Sequence, residues 1–170
     1  MLEENVPPSG DEQAPQHWVC ALVLLFLVIL AYRPALSCDF IWDDDQYVYE
    51  NPVLTSDTAL RDIWLDPLAT PQYYPMVHTS YWLEHKLWGM RPLGYHSTNL
   101  LLHGAAAILL YLLLLQLKVP GAWWAAALFA IHPVNVESVA WITERKNVLA
   151  GLFAFAALNF GWWATESQSR

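Results

Sequence analysis

The chain has 170 residues, 56% of them hydrophobic and 14% charged, with a net charge of −8. It is too apolar for an ordinary soluble domain, and its apolar residues fall in blocks long enough to cross a bilayer. The acidic balance leaves no basic patch for neutralising phosphates, which excludes nucleic acid as a partner. A phosphate-bearing membrane lipid needs only one or two well-placed cations.

Residues 1–17 are polar, contain Pro7, Pro8, Gly10 and Pro15, and read as a disordered tail. Residues 18–36 form the first apolar segment, with Arg33 as its single charge. Ala35-Leu36-Ser37 offers a small-residue cleavage site, but no Lys or Arg precedes the segment, so an uncleaved helix is favoured over a signal peptide. A continuous helix would hold Cys20 and Cys38 roughly 27 Å apart, too far for a mutual disulfide.

Residues 37–95 form a long loop rich in aromatics and prolines, with nine acids against three bases. Its run Asp43-Asp44-Asp45 lies just beyond the first apolar segment. Met76 to Trp88 reads as a helix with Val77, Tyr81, Trp82 and Trp88 near one face and His78, Glu84 and His85 as polar contrast. It either lies in the headgroup region or packs a small core under the loop.

His96 to Leu117 is the second span, residues 96–117. His96, Asn99 and His103 share a stripe on it, which must face protein or a wet cavity. The third apolar segment, residues 119–131, is short against the roughly 17–25 residues of a spanning helix. His132-Pro133 ends or kinks it. It is read as a short span, with a re-entrant half-helix as the alternative. A second polar block, residues 132–147, leads into the fourth span, residues 148–163, whose Asn147, Gly151 and Ala154 suit helix packing. Residues 164–170 are a polar tail. The expected fold is therefore an all-α polytopic membrane protein of about four transmembrane helices, its long first loop carrying short interfacial helices.

Four spans put the Asp loop and the 132–147 block on one side. That side holds six Lys and Arg against two on the other, so charge alone places the Asp loop in the cytoplasm. The rule weakens for a loop of this length.

Three motifs resemble one family. They are Asp39-Phe-Ile-Trp-Asp-Asp44 followed by Tyr47-Val48 and Asn51-Pro-Val-Leu54; Tyr95-His-Ser-Thr-Asn-Leu-Leu-Leu-His103; and His132-Pro-Val-Asn-Val-Glu-Ser-Val-Ala-Trp-Ile-Thr-Glu-Arg-Lys-Asn-Val-Leu149. Together they are similar to the transmembrane-and-tetratricopeptide-repeat proteins, which include animal O-mannosyltransferases acting on cadherins. The resemblance runs from about residue 22 to residue 163. It implies a partial GT-C fold, a polyprenyl-phosphate sugar as donor, a protein acceptor, and an Asp loop on the extracytoplasmic face of an endoplasmic-reticulum or bacterial inner membrane. Family members usually carry more helices and C-terminal repeats, so the chain reads as an N-terminal part.

Sugar transfer from a lipid phosphate needs a base for the acceptor hydroxyl and a cation for the departing phosphate. Asp43 and Asp44 match the family's acidic motif; in related enzymes the corresponding acid is the base or helps bind a divalent metal, and one of the two is the expected base. Adjacent carboxylates raise one another's pKa, and burial adds to that. The bland alternative is that acids at the start of a helix over Asp43–Tyr49 merely favour its dipole. Arg145 and Lys146, at the membrane edge, are the expected ligands of the donor phosphate, with interfacial snorkelling as the alternative. Glu137 would orient Arg145 or ligate a metal, and His132 would shuttle protons or simply end a helix. The His residues lack zinc-ligand spacing. A non-catalytic membrane anchor or scaffold is the competing function. A transporter using the His96/Asn99/His103 stripe ranks last.

Overall fold

A computed structural model describes residues 10–168. The remainder of the two polar tails lies outside the described residues. Seven α-helices occur in the order α1 (Gly10–Tyr32), α2 (Ala59–Leu65), α3 (Pro75–Trp88), α4 (Pro92–Gln116), α5 (Ala122–Ile131), α6 (Val136–Ala140) and α7 (Arg145–Gln168). No strand occurs among the described residues. Three stretches are long and apolar enough to cross a membrane: His17–Ser37, Pro92–Gln116 and Ile142–Gln168.

The third apolar segment forms only the ten-residue α5. At a rise of 1.5 Å per residue it extends about 15 Å, half of a typical hydrocarbon core. Pro133 explains its end, because it forces His132 into an extended conformation at φ −66°, ψ 131°. The turn before it has an equally local cause. Lys118 takes a left-handed φ of 56°, the Val119 N–H bonds the Leu114 carbonyl, and the Lys118 N–H bonds that of Leu115. This is a Schellman stop for α4. Gly121, at φ 76°, then starts α5.

Polar contacts fix the directions of the helices. His17 at the start of the first span bonds Tyr111 Oη late in α4, and Trp123 at the start of α5 donates to the Cys20 carbonyl. Further along, His103 meets the Ala130 carbonyl, and Tyr32 Oη donates to that of His132. Asn99, one turn before His103 on α4, donates to the Trp141 carbonyl. The chain from α5 to Trp141 therefore climbs back along α4 as a half-helix completed by the polar block. α7 then runs beside α4 in the same direction, from Arg145 near Tyr95 to Asn159 near Leu109 and Gln116.

One core, made of Leu24, Val28, Ala107, Tyr111, Ala126 and Ala130, lies among α1, α4 and α5. Its small residues let the backbones approach closely, as membrane interfaces require. A second core lies under the loop and joins Tyr47, Val48, Leu54, Val77, Tyr81, Tyr95, Ile142 and Leu149. It shows what one face of α3 packs against: Val77, His78, Tyr81 and Glu84 are buried, so that face forms a small core under the loop. His78 and Glu84, expected as the contrasting polar side, belong to the inward face. The His96, Asn99 and His103 stripe is buried against protein, as its place in a span required.

Gly94 opens α4 where the Trp88 indole lies over it, and a Cβ there would fall inside the ring. Gly94→Ala is expected to destabilise the fold by about 1–3 kcal/mol through overpacking, read as a lower thermal midpoint in detergent.

Candidate active site at the head of the bundle

Trp42 has a left-handed φ of 48°, which is unusual for a bulky residue. The turn it makes separates the three aspartates. Asp43 and Asp45 are exposed, whereas Asp44 is fully buried. Trp42 itself is exposed and packs edge-on against Trp141, with ring centroids 5.1 Å apart.

Asp44 Oδ1 accepts the Thr143 N–H at 2.9 Å and the Thr143 Oγ–H at 2.5 Å, and Oδ2 accepts the Ile41 N–H at 3.0 Å. Burial pushes this carboxyl above the usual carboxylate range, and the three hydrogen bonds oppose that rise. The acidic loop and the second polar block, expected on one side, thus meet directly. Asp43 lies at the rim of this junction, and its carbonyl accepts the Tyr47 N–H.

Arg145 is completely buried. Its Nε donates to Asn99 Oδ1 at 2.7 Å, Nη1 to Ser80 Oγ at 2.9 Å, and Nη2 to the Tyr95 carbonyl at 2.9 Å. Nη1 also forms an ion pair with Glu84, and the guanidinium stacks over Tyr81 at 4.6 Å. The fork expected to face a phosphate is instead directed into protein. Burial drives Glu84 above its ordinary range, and Arg145 pulls it back. Lys146 is the more accessible cation, its side chain 29% exposed and paired with Glu144 at 2.5 Å. Asn147 donates to the other oxygen of Glu144 and to Ser138 Oγ.

The remaining expected residues stand apart. Glu137 is exposed in the first turn of α6, and the acid that holds Arg145 is Glu84. His132 Nδ1 accepts the Val134 N–H and caps the short turn after α5, which fits its helix-ending role. Among the described residues no three His, Cys, Asp or Glu side chains gather as a metal site.

Glu84, Ser80 and Thr143 were not singled out for the site from the sequence. A signal existed for Glu84, an acid at helical spacing from Val77 and Tyr81 on the apolar face. For Thr143 there was none.

His78, also inward, stacks on Tyr47 with rings 5.4 Å apart and 19° from parallel. Burial lowers its pKa to about 4. The folded value is depressed below the unfolded 6.5, so the stability due to neutral His78 is complete above pH 6.5 and is lost as pH falls toward 4. His78→Phe keeps the stack and is expected to flatten the pH dependence of the thermal midpoint in that window.

An all-helical membrane protein with an acidic site joined across two loops is the class this fold and site define. The chain is 34% identical to a protein O-mannosyl-transferase of Caenorhabditis elegans over 81% of its own length and 22% of that protein. It is 32% identical to the protein O-mannosyl-transferase TMTC2 of Homo sapiens over 82% of its length and 18% of the relative, and 30% identical to TMTC4 of Mus musculus over 82% and 22%. No protein-family model and no solved structure matches it. Over this stretch the chain is similar to protein O-mannosyl-transferases, in keeping with the resemblance of its three motifs. It spans about a fifth of the length of these relatives.

Proposed function

We propose that this chain forms the acidic end of a GT-C-type membrane glycosyltransferase that moves a mannose-like sugar from a polyprenyl phosphate to a protein hydroxyl. The exposed Asp43 carboxylate takes the acceptor proton. The acceptor oxygen then bonds to the anomeric carbon as the bond from that carbon to the phosphate oxygen breaks. The electron pair leaves with the phosphate, whose charge Lys146 and the Asn147 amide stabilise. Asp44 and Arg145 hold the two motifs in place. The observation carrying this reading is the Asp44–Thr143 pair, which joins the motif that holds Asp43 to the motif that holds Lys146. The relatives' names support the reaction class.

The same proposal has four passes, the third made by α5 and the polar block, and puts Asp43 on the non-cytoplasmic face. In sealed vesicles, a membrane-impermeant maleimide should label D43C and K146C from one side and K118C from the other, in a background lacking Cys20 and Cys38. Labelling of D43C and K146C from opposite sides would sink the shared site. The complete burial of Asp44 and Arg145 equally favours a non-catalytic scaffold. In that case Asp43→Asn leaves function intact, and sugar transfer measured in the full-length context decides.

A further inference from the structure

Thr143 gives both its backbone and its hydroxyl donor to one oxygen of Asp44, a residue 99 positions away. Both residues are buried. The peptide around Thr143 is held on each side. Tyr81 Oη donates to the Ile142 carbonyl at 2.7 Å, and Arg145 is fixed by Asn99, Ser80, Glu84 and Tyr95. The next residue, Glu144, carries Lys146 and Asn147 on its two oxygens. On the other side of the junction, Asp44 precedes the bonded turn Asp45–Tyr49 and follows Asp43 directly.

We propose that Thr143 is a positioning residue for sugar transfer, acting through Asp44 to fix where Asp43 stands relative to Lys146. The inference rests on the reading of Asp43 as the base. It assigns the work to the hydroxyl rather than to the volume of the side chain. Valine keeps the volume and loses the donor; serine keeps the donor and loses a methyl.

The titratable groups facing Asp44 are His96 on α4 and Tyr81 on α3, with Asp43 and Asp45 beside it in the chain. The Thr143 hydroxyl bond opposes the upward push of burial on the Asp44 carboxyl. Without that bond Asp44 takes its proton at a higher pH. The Ile41 and Thr143 N–H groups then lose an anionic acceptor, and the turn presenting Asp43 loosens.

The test uses the full-length protein in membranes, with transfer of radiolabelled mannose from polyprenyl phosphate to protein as the readout. Thr143→Val is expected to lower kcat about tenfold or more with donor KM changed less than about twofold, and to move the acid limb of the pH–rate profile upward. Thr143→Ser should stay within about threefold of the parent. An infrared titration of the Asp44 carboxyl band, assigned with Asp44→Asn, should shift upward in the valine variant and not in the serine variant. Full activity in Thr143→Val, or equal loss in both variants, overturns the positioning role. The infrared shift in a protein that transfers no sugar even as the parent overturns the transferase reading itself, and the positioning role with it.

Discussion

Asp43→Asn is expected to lower sugar transfer by about 10²–10⁴-fold in the full-length context while leaving the thermal midpoint unchanged. The asymmetry follows from where the two acids stand. Asp43 is exposed, so an amide replaces its carboxylate without disturbing a buried partner. Asp44→Asn is a different experiment. Asp44 accepts three hydrogen bonds, two from Thr143 on Oδ1 and one from Ile41 on Oδ2. An asparagine can point its oxygen at Thr143, but its amide nitrogen then faces the Ile41 N–H, donor against donor. A buried donor left unmatched costs about 1–3 kcal/mol. The two single variants therefore separate chemistry from architecture: loss of transfer with unchanged stability for Asp43→Asn, loss of both for Asp44→Asn. Normal transfer by Asp43→Asn would remove it as the base.

Arg145→Met should be the most destabilising single change in the described chain. Removing one partner of a buried ion pair costs about 3–5 kcal/mol, because the other charge is stranded. Here Glu84 would be stranded on α3, and Asn99 Oδ1 and the Tyr95 carbonyl would lose their donors. Arg145→Lys is not expected to rescue it, since one ammonium cannot reach partners on α3 and α4 in the planar fork that the guanidinium supplies. Replacing both members, Arg145→Met with Glu84→Met, should be less damaging than Arg145→Met alone, because no charge is then left buried. Thermal unfolding in detergent reads all three. A parent-like midpoint for Arg145→Met would show that the pair contributes little to stability.

The sequence by itself determined what depends on neighbours along the chain. Three of the four apolar runs marked helices long enough to cross a membrane, Pro133 marked the end of α5, and the polar stripe His96, Asn99 and His103 had to find protein partners because lipid offers none. The helix from residue 75 to 88 was legible in its period, although which residues pointed inward was not. His78 and Glu84 read as polar contrast to the apolar face, whereas Tyr47 and Arg145 are the partners they meet inside. Only the tertiary structure decided that Asp44 is bound and Asp43 exposed, that Arg145 is spent on Glu84 while Lys146 remains accessible, and that Thr143 links the two motifs. The reason is physical. A carboxylate's environment is set by donors from residues far away in the chain, and local composition carries no record of which donor arrives.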